Sequence, residues 1–317
     1  MYKCSVVILT YNCELSKLLL TLESVVRQQK IDYEIIVADD CSEVFNEEAI
    51  KAYLKMKTAE YRIVRQKKNV GTVKNVYEAL LQCRGEYVKL IGSGDLLYAP
   101  DTLYKMCQAM EETGSTAGFG LMKSFFEKDG VCQKQNIIAP NNIDAFIRND
   151  MKEIYNTIVK YEQWICGASL IYNTRKIIPF VKKIAEKVKY CEDMMTQLVV
   201  MEHQKICFTK CYSVWYEIDS GISNNTERKY AGRVLADQVS FYKIVQREDR
   251  FFWRRLGKKM IHKVSDRRVR TLLKLVFQPG IVLLSLKTRS QAKKGMYELD
   301  EKGFLDDSDY KNNFSMG

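Results

Sequence analysis

The sequence predicts an α/β protein built on a mostly parallel sheet covered by helices, and three observations carry that expectation. Within the first 122 residues, short β-branched runs alternate with segments of helical period. Each run ends in a cluster of polar and turn-forming residues. Apolar residues make up 46 % of the chain and charged residues 28 %, with 16 Gly and only 4 Pro, which excludes collagen-like, low-complexity and globally disordered chains. At 317 residues the chain is long enough for one large domain or a domain plus an appendage.

The strands come first. Ser5 to Leu9, Tyr33 to Val37, Tyr61 to Val64 and Tyr87 to Ile91 are short apolar runs of the kind that is buried on both faces of a parallel sheet. Helix-period segments near 14–28, 46–57 and 71–83 separate them, so the order is βαβαβαβ with right-handed crossovers. In such sheets ligands bind beyond the carboxyl ends of the strands. The residues there are Thr10-Tyr11-Asn12, Asp39-Asp40-Cys41-Ser42, Gln66 to Asn69 and Gly92-Ser93-Gly94-Asp95. A helix is expected from about Pro100, with Asp101 complementing its dipole. Beyond it lie strand-like pieces at Ala117 to Met122 and Trp164 to Tyr172, a helical stretch at 143–160, and a helix near 191–203. Two further strand-like runs, Lys205 to Thr209 and Tyr212 to Ile218, lead into Asp219-Ser220-Gly221. Residues 234–290 read as consecutive amphipathic helices. One stripe is Phe252, Leu256, Met260 and Val264, and a second is Val269, Leu272, Leu273 and Val276, before a break at Pro279-Gly280. Residues 295–317 read as a frayed, acidic tail.

Composition narrows the chemistry. Ten cysteines are scattered without a C-x-x-C pair, which is neither a zinc spacing nor a secreted disulfide framework, so reduced thiols and a cytoplasmic setting are expected. His203 and His262 are the only histidines, so acid–base work must fall to carboxylates. His203 reads as structural, and Trp164 and Trp215 as core residues or acceptor platforms. The net charge of +11 is uneven. Residues 1–224 carry 29 basic and 28 acidic side chains, 225–317 carry 21 and 11, and 250–294 hold 14 basic residues against Asp266 alone. No apolar run approaches the roughly 18 residues of a membrane span, and the start of the chain lacks a signal-peptide pattern. The expectation is a protein neither secreted nor membrane-spanning.

Four ordered motifs then carry a resemblance. Ser5-Val-Val-Ile-Leu-Thr-Tyr-Asn12, Tyr33-Glu-Ile-Ile-Val-Ala-Asp-Asp-Cys-Ser42, Asn69-Val-Gly-Thr-Val-Lys-Asn75 and Gly85-Glu-Tyr-Val-Lys-Leu-Ile-Gly-Ser-Gly-Asp95 resemble the nucleotide-binding half of family 2 glycosyltransferases. The resemblance covers roughly residues 3–223 and implies a GT-A fold, an activated nucleotide-sugar donor, a divalent metal (Mn²⁺ or Mg²⁺) and inversion at the anomeric carbon. It divides the chain into a GT-A-like catalytic domain at 1–224, with a nucleotide-binding half at 1–115 and an acceptor-binding half at 116–224. A basic amphipathic helical extension at 225–294 and the polar tail at 295–317 follow.

The resemblance also assigns residues. A nucleoside diphosphate leaves with accumulating negative charge, so a cation bridging its phosphates lowers the barrier, and a carboxylate must hold the cation. Asp95 stands in that place. The family usually shows two or three acids there, whereas Gly92-Ser93-Gly94 precede Asp95 here; those glycines offer close backbone approach to the donor. The alternative is that Asp95 caps the turn before Pro100. Asp40, supported by Asp39, would accept N3–H of uracil, or the two form a strand-end turn with Ser42. Thr10 and Tyr11 would flank the base, with Asn69, Ser93 and Gly94 completing the nucleotide-sugar pocket. Lys74 either reaches a phosphate or is a solvated helix lysine. Glu192-Asp193 resembles the family's acidic pair, with Asp193 as the base and Glu192 as its fallback; the alternative is that both complement a helix dipole. Val214 to Ser223 resembles a segment that closes over the donor. The absence of Gln-x-x-Arg-Trp favours transfer of a single sugar over processive synthesis.

The implied function is an inverting, metal-dependent glycosyltransferase, of hexosyl- or N-acetylhexosaminyl-transferring type. It would move one sugar from a UDP-linked donor to a glycan or lipid-linked glycan during surface-polysaccharide (capsule or O-antigen) assembly. The alternative is a nucleotide-sugar or glycan-binding protein that has lost turnover. A nucleotidyltransferase would need a Gly- and Arg-rich phosphate loop after the first strand, and Thr10-Tyr11-Asn12-Cys13 is not one. The basic helices at 250–294 either meet an anionic membrane surface, placing the enzyme at its inner face, or pack on the catalytic domain. No nucleic-acid motif accompanies the charge.

Overall fold

The computed structural model describes residues 2–57, 59–128, 131–217, 228–245, 252–264, 266–293 and 297–306. Strands β1 (Cys4–Thr10), β2 (Tyr33–Asp39), β3 (Tyr61–Arg65) and β4 (Tyr87–Gly92) alternate with helices α1 (Leu15–Val26), α2 (Glu47–Met56) and α3 (Thr72–Leu80), each within three residues of the sequence expectation. They form the parallel portion of a nine-stranded sheet, in the order β3-β2-β1-β4. Val6, Val7, Ile8, Ile35, Ile36 and Val37 are fully buried because helices cover both faces.

The second half continues the same sheet with mixed pairing. After β5 (Leu96–Leu97) and α4 (Thr102–Thr113) come β6 (Ala117–Lys128), β7 (Val131–Ile137), β8 (Leu170–Asn173) and β9 (Ile206–Glu217). β8 pairs with β4 and β6, while β6 runs parallel to β9. The helical stretch at 143–160 is three short pieces, α5 (Ile143–Ile147), α6 (Met151–Tyr155) and a π turn at Asn156–Lys160. The acids at 192–193 form a 3₁₀ turn ahead of α8 (Met195–Met201).

Several sequence expectations are corrected. The strand at 117 runs on to 128 and forms a hairpin with β7, whose polar residues hid it. Trp164 to Tyr172 is strand only from Leu170. The two runs at 205–209 and 212–218 are one strand with a register shift, Lys210 taking a positive φ of 55° at the bend. Helix α7 (Thr174–Ala185), capped by the Asn173 side chain accepting from Lys176 N–H, follows β8 despite Pro179.

The C-terminal part is α9 (Arg228–Val245), α10 (Phe252–Lys263), α11 (Arg267–Phe277) and α12 (Pro279–Lys293). Phe241, Tyr242 and Val245 of α9 join the main core, so this helix is part of the body. Among the described side chains of α10, Lys258 and Ile261 are buried, whereas Leu256 of the expected stripe is half-buried and Met260 exposed. Lys258 Nζ donates to the Val159 carbonyl at 2.9 Å. Its long stem explains how a basic residue replaces the expected stripe. Val269, Leu272 and Val276 of α11 remain exposed.

The frayed-tail reading does not hold for 297–306. Phe304 and Leu305 are buried, Glu301 bridges to Lys105 at 2.8 Å and accepts Tyr212 N–H at 3.0 Å, and Phe304 N–H donates to the Tyr98 carbonyl at 2.8 Å. This segment covers the Tyr98–Tyr212–Trp215 aromatic stack. Phe304→Ala is expected to lower unfolding stability by about 3 kcal/mol, measured by urea denaturation, as removal of a buried aromatic ring should.

Candidate functional site

Parallel register brings the first cluster together. Thr10 lies opposite Asp39 and Leu9 opposite Gly92, so three strands end at one rim. Asp40 N–H donates to the Thr10 carbonyl at 3.0 Å and Ser93 N–H to the Leu9 carbonyl at 2.9 Å, which ties the loops to the sheet. Thr10 is buried, Tyr11 is exposed, and Asn69 and Lys74 are exposed at the start of α3.

The two aspartates at the end of β2 have different work. Asp39 is fully buried and accepts from Ser42 N–H at 3.0 Å, from the Ser42 hydroxyl, and from Arg65 Nε at 3.2 Å. It is the strand-end turn foreseen as its alternative. Asp40 accepts Val70 N–H at 2.7 Å and Gly71 N–H at 2.9 Å, so it grips the chain entering α3. Burial, with Asp39 adjacent, raises the Asp40 carboxyl above its usual range. Gly71 sits at φ +87° against Lys189, where any Cβ would meet the Lys189 carbonyl at 2.7 Å, so only glycine fits.

Gly92 to Asp95 turns back beneath α1, Gly94 N–H donating to Thr21 Oγ1 at 2.9 Å. Asp95 is buried and accepts Glu217 N–H at 3.0 Å on Oδ1. Burial, reinforced by the neighbouring Glu217 carboxylate, pushes Asp95 up to about 7. Glu217 is in turn paired with Lys17 at 2.6 Å. Glu217 of β9 therefore lies beside Asp95 of the β4–β5 turn, close enough for its charge to act on the Asp95 carboxyl, where the sequence showed one acid. This oxygen-only set fits a hard divalent cation, with phosphate oxygens and water completing the shell. Among the described residues there is no group of three acidic, His or Cys side chains that could hold a metal ion alone.

Behind Asp95 lies Lys89, a fully buried lysine in the middle of β4. Its ammonium donates to the Leu90 carbonyl at 3.1 Å, to Leu170 at 3.2 Å and to Ala168. Desolvation pushes it down to about 8, while Asp95 opposes that shift. Lys89 thus fixes the Cys166 to Ser169 turn to the central strand. That turn carries the opposite wall. Gly167 N–H binds Asp193, and a Cβ on Gly167 would collide with the Glu192 carboxylate. Asp95, Asp193 and Glu192 all act electrostatically on the Cys166 thiol, so both acidic groups lie near the Cys166–Ser169 turn. Burial first, then the Asp193 charge, pushes Glu192 up, and burial does the same to Asp193.

Of the residues expected from the sequence, Thr10, Asp39, Asp40 and Asp95 lie at the ends of β1, β2 and β4 and Glu192 and Asp193 in the turn before α8, while Glu217, Lys89 and Gly167 were not singled out. A lysine inside an otherwise apolar strand was the visible signal for Lys89. Glu217 stood only within the segment expected to close over the donor, and Gly167 gave no signal, because their partners are 122 and 25 residues away in the chain. Trp215 is fully buried in the aromatic stack, which settles it as core. His203 turns the chain after α8 at φ +57°. Residues 218–223, the rest of the expected closing segment, lie outside the described residues, and of His262 no side-chain placement is described.

Residues 5–171 match the family described as glycosyl transferase family 2. The chain belongs to that family, and it is a glycosyltransferase. The fold is shared with solved glycosyltransferases of GT-A type. One is TarS 1-349 of S. aureus, at 19% identity, 92% coverage of both chains and a TM-score of 0.50. Another is the mannosyltransferase PcManGT from Pyrobaculum calidifontis, solved with GDP-Man and Mn2+, at 12% identity, 99% coverage of this chain and 84% of that one, and a TM-score of 0.55. GalNAc-T7, solved with UDP, GalNAc and Mn2+, gives 13% identity, 87% and 54% coverage, and a TM-score of 0.55. No curated protein matches the chain.

The raised carboxyl at Asp193 gives a signed stability expectation. A carboxyl whose folded pKa lies above its unfolded value favours folding while protonated, and that contribution is lost as pH rises through the raised value. Asp193→Asn is therefore expected to gain about 2–4 °C in Tm over wild type at pH 8, corresponding to about 1 kcal/mol, with the gain shrinking below pH 5. Thermal unfolding across pH checks it.

Proposed function

We propose that this glycosyltransferase moves one sugar, with inversion, from a UDP-linked donor to a glycan or lipid-linked glycan acceptor in surface-polysaccharide assembly. The observation that supports this reading is the placement of Asp95 after β4 and of Glu192–Asp193 against Gly167, both near the Cys166–Ser169 turn that Lys89 ties to β4.

The nucleotide would lie across Thr10, Tyr11, Asp39 and Asp40, with Asn69, Lys74, Ser93 and Gly94 beside the ribose and phosphates. A carboxylate accepts about four hydrogen bonds, and Asp40 has two from Val70 and Gly71, so it retains capacity for N3–H of uracil. Asp39, fully enclosed with Ser42 and Arg65, holds that loop in place. Beside Asp95 and Glu217, Mn²⁺ or Mg²⁺ would neutralise the departing diphosphate. Asp193 takes the proton from the acceptor hydroxyl on the face opposite the leaving group, with Glu192 beside it. Its raised proton affinity suits that task near neutral pH. Because each acid is held by main-chain N–H groups, little reorganisation is needed as charge develops.

The C-terminal helices support a peripheral membrane contact. Val269, Leu272 and Val276 on α11 and Leu283 and Leu286 on α12 are exposed apolar side chains within the strongly basic 250–294 stretch. Among the described residues no single helix is long and apolar enough to cross a membrane; α11 and α12 meet that length and composition only as a pair bent by 107°.

Transfer or donor hydrolysis from a UDP-sugar panel with Mn²⁺ tests the reading. Asp193→Asn is expected to lose at least 10²-fold in kcat while still binding donor, in line with loss of a general base. Retention of wild-type turnover would remove Asp193 from the mechanism, and a wild-type protein that binds donors without turnover under any acceptor would favour the binding-protein alternative. For the membrane contact, sedimentation with phosphatidylglycerol vesicles is expected to exceed that with phosphatidylcholine at least tenfold, and Leu272→Glu with Val276→Glu to abolish it. Equal sedimentation with both lipids would contradict the contact.

A further inference from the structure

The loop that delivers Glu192 and Asp193 is held by a residue outside the matched family segment. Lys189 N–H donates to Asp237 Oδ1 at 3.0 Å, while Tyr190 N–H at 2.6 Å and Cys191 N–H at 3.0 Å both donate to Oδ2. Three successive amides converging on one carboxylate form a concave anion-binding nest, and the carboxylate is only 4 % exposed. Asp237 belongs to α9, which is anchored by Phe241 packing edge-on against Trp164 at 5.8 Å. One helical turn earlier, the Arg233 guanidinium lies over the Tyr190 ring at 5.3 Å. From the other side the Lys189 carbonyl accepts Val73 N–H at 3.1 Å, so the loop is clamped between α9 and the start of α3.

We propose that Asp237 is a positioning residue for sugar transfer, setting the place of the Glu192–Asp193 turn and the electrostatic field in which those acids work. The proposal rests on the assignment of Asp193 as the base. Charge-assisted hydrogen bonds to three consecutive amides leave the next two residues no slack, and Glu192 must enter the 3₁₀ turn at the height where Gly167 admits it. The second role is charge. Glu192 and Asp193 are faced by Asp237 from α9, by Tyr172 from β8, by Cys166 and the Gly167 N–H from the turn, and by Cys191 on their own segment. Among these, Asp237 is the carboxylate, and it raises the proton affinity of both acids.

Two variants separate these roles from a merely structural staple. Asp237→Asn keeps size and removes charge, whereas Asp237→Glu keeps charge and lengthens the arm. Steady-state release of UDP from the UDP-sugar turned over best, with Mn²⁺, would be followed across pH beside Asp193→Asn. Both Asp237 variants are expected to lose at least tenfold in kcat with donor KM within twofold. Only Asp237→Asn is expected to move the acidic limb of kcat/KM to lower pH. Wild-type kcat in both variants, or an acidic limb unmoved in Asp237→Asn, overturns the proposal. If Asp237→Asn does not fold, kcat of Asp237→Glu decides alone. An active Asp193→Asn overturns the base assignment and the proposal with it, whereas an inactive Asp193→Asn beside undisturbed Asp237 variants overturns the proposal only.

Discussion

Main-chain amides gripping buried aspartates hold the working rim of this molecule together. Asp39 takes Ser42 N–H, Asp40 takes Val70 and Gly71, Asp95 takes Glu217, and Asp237 takes Lys189, Tyr190 and Cys191. A carboxylate buried without such partners would cost several kcal/mol and would take up a proton instead. Each amide bond to a charged acceptor returns about 1.5–3 kcal/mol. The pattern therefore does two things at once. It makes acid residues affordable in the interior, and it ties each loop at the carboxyl rim to a neighbour far away in sequence.

The same arrangement explains the distribution of proton affinities. Asp40, Asp95, Glu192 and Asp193 are all raised by burial, and the main-chain N–H groups they accept from oppose that rise without cancelling it. Asp95 and Asp193 are the groups proposed to hold a cation and to accept a proton. Lys89, desolvated and locked onto three carbonyls, joins their two walls through the Cys166–Ser169 turn.

Much of the parallel half was legible in the sequence, because buried strands read as apolar runs and their ends as polar clusters. Thr10, Asp39, Asp40 and Asp95 follow from that pattern. The antiparallel half was harder, since β7 is polar, α7 contains Pro179, and β9 bends at Lys210 in a way periodicity splits into two strands. Glu217, the acid beside Asp95, was hard to see for a different reason. Glu217 reaches Asp95 only because β9 closes on the β4–β5 turn, a contact between distant segments that no local motif encodes. Asp237 and the docked 297–306 segment belong to the same class, as their roles depend on tertiary approach alone.

The central claim is that Asp95, with Glu217 beside it, holds a divalent cation against the donor diphosphate. The most direct measurement is Mn²⁺ binding, followed by electron paramagnetic resonance with and without UDP, for wild type and Asp95→Asn. The account expects wild type to bind Mn²⁺ at least tenfold more tightly when UDP is present and expects Asp95→Asn to lose that enhancement. Identical UDP-dependent binding in the two proteins would contradict it.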